Sequence, residues 1–190
     1  MKLNTIMLTI AMSILAACGG GAGGSKITIS FNGTSVPLDV KSSGVYPSTK
    51  TFSMTKDGET TMTKAVNHYV ALANFELETR GPVTMGKALT GDGNVRVTFQ
   101  IVGDEGTDEK AAVKTGTYAA KCDKYNCVDY LQVSRFTGGK EEKISFTMSK
   151  AEGEIKITSV TDDTISGEVN VSEGQNSVKG SFTAKITTKR

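Results

Sequence analysis

Between Asn94 and Val102 the chain reads NVRVTFQIV, with Val95, Val97, Phe99 and Ile101 alternating with Asn94, Arg96, Thr98 and Gln100. A period of two is the mark of a half-buried strand, because successive side chains point to opposite faces of a sheet. The same spacing returns in KISFTM (Ile144, Phe146, Met148), EIKITSV (Ile155, Ile157), TISGEVNV (Ile165, Val169, Val171) and VKGSFTAKI (Val178, Phe182, Ala184, Ile186). These four runs follow at short intervals, broken by Ala151-Glu152-Gly153, Thr161-Asp162-Asp163 and Glu173-Gly174-Gln175-Asn176. The pattern predicts an antiparallel meander at the C-terminal end.

Earlier segments belong to the same class. KITISF reverses through Asn32-Gly33 into TSVPLDV, and TFSMT reverses through Asp57-Gly58 toward TTMTKAV. Asn-Gly and Asp-Gly tolerate positive φ at both central positions of a tight hairpin turn. HYVALANFELE, from His68 to Glu78, alternates Tyr69, Ala71, Ala73, Phe75 and Leu77 and predicts a long strand, although its alanines also suit a helix. Nine or ten strands result, with no long amphipathic helix, so the expected fold is all-β: an antiparallel β-sandwich or a small β-barrel. Gly167 and Gly180 interrupt strand patterns, as glycines do at a bulge, a sharp bend or beside a bulky neighbour.

The N-terminus carries a different signal. Lys2 precedes a mostly apolar stretch, Leu3 to Leu15, shorter than the ~20 residues that span a bilayer, which reads as a signal peptide over residues 1–17. Its end, Leu15-Ala16-Ala17-Cys18, resembles the bacterial lipobox. That resemblance implies diacylglycerol on the Cys18 thiol, cleavage before it, and a membrane partner engaged through the lipid anchor. Several acyl chains hold stably where one holds only marginally. Residues 18–25 then read as the lipidated cysteine and a glycine-rich tether with a reach of about 15 Å, and residues 26–190 as one β-rich domain. Gly19 rather than an aspartate follows Cys18, which in lipoproteins implies transfer to the outer membrane, on its periplasmic or cell-surface face.

With Cys18 assigned to lipid, Cys122 and Cys127 remain as a pair. Bonding them demands a chain reversal, for which Asp123 and Asn126 are suitable, and the short loop would contribute about 2 kcal/mol. A redox pair more usually has two intervening residues, so the expected role is a structural staple. TGTYAA from Thr115, GEIKITSVTDDTISGEV from Gly153 and VKGSFTAKI from Val178 also resemble a loose group of small bacterial lipoproteins. This group implies an all-β fold and transfers no active site. Glu168-Val169 stands where the group often has Thr-Phe.

Recognised chemistry is sparse. A net charge of +2 from 22 basic and 20 acidic residues gives no field to recruit nucleic acid. Trp is absent and aromatics are 6%, which counts against the aromatic platforms of a lectin. No phosphate loop or dinucleotide fingerprint is present, so no cofactor is expected. His68 is the sole histidine; without a nucleophile elbow nearby, it reads as a surface or hairpin-flank residue. GDEGTDEK gathers Asp104, Glu105, Asp108 and Glu109 in one loop, a weak calcium candidate lacking EF-hand spacing, whose plainer reading is a solvated loop. The leading expectation is a non-enzymatic envelope lipoprotein whose domain binds a protein partner or supports a surface assembly. A small apolar-ligand carrier with a barrel cavity is the alternative, and a hydrolase built around His68 the third.

Overall fold

The computed structural model describes residues 25–121 and 123–187. Among them are eleven strands and one short helix: β1 (Lys26–Phe31), β2 (Thr34–Asp39), β3 (Ser42–Lys56), β4 (Glu59–Ala73), α1 (Pro82–Met85), β5 (Val95–Glu105), β6 (Gly116–Ala119), β7 (Cys127–Thr137), β8 (Lys140–Ser145), β9 (Glu152–Val160), β10 (Thr164–Glu173) and β11 (Asn176–Lys185). All strands join one sheet in the order β2-β1-β11-β10-β9-β6-β7-β5-β4-β3, with β8 paired to β7. The domain is all-β, as the alternation requires.

The sheet curls until its far strand meets β11 through a parallel bridge between Val45 and Ile186. Parity explains the sense of that contact. A ring of eight antiparallel neighbours would close antiparallel, but β6 and β7 lie parallel, paired only at Ala119 and Cys127, and this one reversal makes the closing strands parallel as well. The bridge is reinforced by Thr187 N donating to Val45 O at 3.1 Å and Lys185 N donating to the Ser43 hydroxyl at 3.1 Å. The β1–β2 hairpin continues the wall along the other stretch of β11.

Hairpin chemistry is as expected: Asn32 and Gly33 have φ of 51° and 79°, and Asp57 and Gly58 have 52° and 82°. The C-terminal meander has three strands rather than four, since β8 pairs with β7 and the free edge of β9 is taken by β6. After Ser145 the chain leaves the sheet, Phe146 turns into the core, and Thr147 O accepts from Lys150 N. The strand expected over His68–Glu78 begins earlier and ends at Ala73, leaving Phe75 and Leu77 outside it. Ala71 and Ala73 are small because the segment 74–94 covers that face: a Cβ on Gly44, the partner of Ala71, would lie 2.5 Å from the Met85 sulfur.

The interior is lined by the alternating residues, among them Ile29, Leu72, Val97, Phe99, Ile101, Leu131, Ile155, Ile157, Ile165 and Val178. Phe99 and Phe182 meet edge to face at 5.3 Å. Gly167 sits opposite Phe182 at a register shift between β9 and β10, so the bulge and the room for a bulky neighbour coincide there. Gly180 has φ 138° and a Cβ there would stand 2.0 Å from Lys26 O, so only glycine lets β1 approach.

Candidate functional site

At one end of the barrel the filling stops short. A cavity of about 430 Å³ opens there, bounded by Val45, Tyr46 and Pro47 of β3, His68 of β4, residues 109–113 of the β5–β6 loop, Val160 and Thr161 at the β9–β10 turn, and Ile186 after β11. These segments lie far apart in sequence and meet because the Val45–Ile186 bridge draws the sheet closed. A smaller cavity of about 20 Å³ shares His68, Ala111 and Ala112 and adds Thr107, Asp104, Lys114, Tyr118 and Asn126.

His68 is not a surface residue. It pairs with Pro47 on one side and Ile101 on the other, at the same strand parity as Val70 and Leu72, and so faces inward; only 4% of it is exposed. Burial alone pushes its pKa from 6.5 down to about 4, so the ring is neutral at physiological pH. Its Nε2 has no hydrogen-bond partner and is shut off from solvent. No carboxylate orients the ring through that nitrogen and no hydroxyl engages it, so the nucleophile, base and orienting acid of a hydrolytic triad are not assembled there among the described residues.

The acidic loop forms the pocket's outer wall. Gly106 N donates to Lys64 O at 2.7 Å, Val66 N donates to the Thr107 hydroxyl at 2.9 Å, and Lys64 Nζ lies 3.6 Å from Asp108. Thr49 and Glu109 are joined twice, the Thr49 hydroxyl donating to the carboxylate and accepting from Glu109 N at 3.1 Å. Asp104 accepts from Lys114 at 2.5 Å and from Asn126 Nδ2 at 2.9 Å, while Glu105 accepts from the Tyr125 hydroxyl at 3.1 Å. The Lys114 ammonium holds the Asp104 carboxyl below its usual range, the Lys110 backbone N–H does so for Asp108, and the Thr49 hydroxyl for Glu109. The four acids suggested for calcium are thus engaged separately. Among the described residues no group of three or more carboxylate, histidine or cysteine side chains could hold a metal ion.

Cys127 is buried at the start of β7; Cys18 and Cys122 lie outside the described residues, as does the signal peptide. Tyr46, Pro47, Ala111, Ala112, Val113, Val160, Thr161 and Ile186 were not singled out as site residues by sequence. Two signs of the site were present, a proline within a strand and an Ala-Ala-Val step inside a charged loop. No family model, no curated protein and no solved structure matches this chain.

Proposed function

We propose that this chain is a lipid-anchored protein of the bacterial outer membrane whose barrel mouth carries a small, mainly apolar ligand without transforming it. The observation that supports this most is the cavity of about 430 Å³, whose wall is mainly valine, isoleucine, proline and alanine, with Tyr46, His68, Glu109, Lys110 and Thr161 as its polar members. Cavities of that size and lining are the usual form of small-molecule sites. The anchor rests on the Leu15–Cys18 lipobox and the glycines after it, and the Cys122–Cys127 staple belongs to the same reading.

The test is native mass spectrometry of protein released gently from its own membranes. A retained small molecule is expected, and it should be lost in Ala111→Phe, which places a ring in the cavity wall. Release of ligand-free protein, together with no binding by a panel of aliphatic compounds, would contradict the reading.

A second reading has its own observation. The β3–β4 hairpin runs on past the barrel mouth, and near its tip Met54 is 53% and Met62 is 69% exposed. Exposed methionines on a protruding hairpin suit a protein contact. Loss of a reproducible partner from membrane pull-downs in the Met54→Lys, Met62→Lys double variant is the expected result, and unchanged recovery would contradict it.

A further inference from the structure

The inner wall of the mouth cavity holds a single buried polar side chain, His68, whose Nε2 has no partner. The other ionisable groups of the loop wall, Glu109 and Lys110, stand at exposed positions, and the Glu109 carboxylate is already held by Thr49. The depth of the pocket therefore offers one neutral hydrogen-bonding ring and no buried cation. A carboxylate head at that depth would lose its hydration without a positive partner. A bare alkane would leave the imidazole as unsatisfied as before. A hydroxyl meets both conditions, because it donates and accepts and so suits either tautomer of a neutral imidazole.

We propose that the mouth pocket takes an uncharged amphiphile, an aliphatic or alicyclic chain ending in a hydroxyl, with that hydroxyl hydrogen-bonded to His68 and the chain packed on Val45, Val113, Val160 and Ile186. The inference rests on the ligand-carrier reading above and adds the chemistry of the head group. His68 lines both adjoining cavities, and because its Nε2 is shut off from solvent, bonding the hydroxyl requires the ring to turn toward the larger one. Burial keeps the ring neutral, which agrees with an uncharged head, since a carboxylate would call for the imidazolium.

The test uses the mature chain, residues 18–190, carrying Cys18→Ser, which lacks the apolar segment 1–17 and the lipid-bearing thiol and so needs no detergent. It is titrated at pH 7 with 1-decanol, with the methyl ether of decanol and with decanoate, binding being followed by calorimetry. Decanol should bind about three- to tenfold more tightly than the ether, the worth of one hydrogen bond, and more tightly than decanoate. His68→Leu should erase the preference for alcohol over ether, while His68→Gln, which can still donate and accept, should retain it. An ether or decanoate that equals decanol, or a preference that survives His68→Leu, overturns the proposal. If no compound binds, the pocket reading falls with it. If all three bind, Ala111→Phe blocks them and no preference appears, the head-group inference alone is wrong.

Discussion

The two ends of the barrel are finished by opposite means. At the end bearing the β1–β2 and β10–β11 turns, Phe31 is buried with the Arg135 guanidinium 4.0 Å from its ring centre, and Phe146 is buried nearby where Thr147 N donates to Glu173. The turns themselves are stitched together, Asn32 N donating to Asn176 Oδ1 at 2.7 Å and Gly33 N to Gln175 O at 3.2 Å. At the other end alanines, a proline and a histidine stand where aromatic rings would complete the filling, and a charged loop pinned from outside supplies the wall. Cores are ordinarily packed to crystal-like density with apolar side chains. Departure from that rule at the mouth, with the strand pattern intact, marks an end where the fold is arranged for something besides stability.

The contrast can be broken most sharply in the filled half. Phe99→Ala or Phe182→Ala should cost about 3–5 kcal/mol by leaving a cavity in the packed interior, read as a shift in the denaturation midpoint. Ala111→Phe at the mouth should cost far less, and a comparable cost would mean the mouth is as tightly packed as the rest.

Acid should find the mouth first. The folded-state pKa of His68, about 4, lies below its ordinary 6.5, so as pH falls through 6.5 the unfolded chain takes a proton that the folded chain refuses. Its contribution is fully present above pH 6.5 and is lost on acidification toward pH 4, on the order of 3 kcal/mol. The charged groups beside it are Glu109 and Lys110 in the larger cavity and Asp104 and Lys114 in the smaller. Their carboxylates add a further decline at lower pH, because their pKa values are depressed. Unfolding measured from pH 7 to 4 should show the upper part of this loss in the wild type and not in His68→Leu.

Smaller effects refine the picture. Replacing Cys122 and Cys127 together by serine should lower stability by about 2 kcal/mol if they form the proposed staple, and a reducing agent should then have no further effect on the double variant. Thr49→Val removes one of the loop's anchors to the β3–β4 hairpin. It should cost little global stability, the bonds being exposed, and speed amide exchange over residues 107–112, leaving the Phe31 end unchanged.

How much of this could be read in advance follows from how local each signal is. The meander strands β9 to β11 and the Asn32-Gly33 and Asp57-Gly58 turns were legible, because a period of two and a pair of positive φ angles are properties of a few adjacent residues. β7 lacks such a signal, and its pattern explains why. The register shift opposite Gln100 and Ile101 leaves Asp129 unmatched, so the inward Val128, Leu131 and Val133 step by three and then two. The single helical turn α1 and the cover it belongs to have no periodic signal.

His68 is buried because of its position rather than its residue type. The His68, Val70, Leu72 alternation already set it on the inward face. The pocket itself was out of reach. Its wall comes from five separate stretches of chain, and only closure of β3 on β11 brings them together.

The claim on which the account turns is that the underfilled mouth, not the hairpin tip or the packed end, receives the ligand. NMR chemical-shift mapping of the mature chain, residues 18–190 with Cys18→Ser, during a 1-decanol titration tests it directly. Saturable shifts confined to the His68 ring and the methyl groups of Val45, Val113, Val160 and Ile186 are predicted. Shifts centred on Met54 and Met62, or none up to the solubility limit of the alcohol, would contradict it.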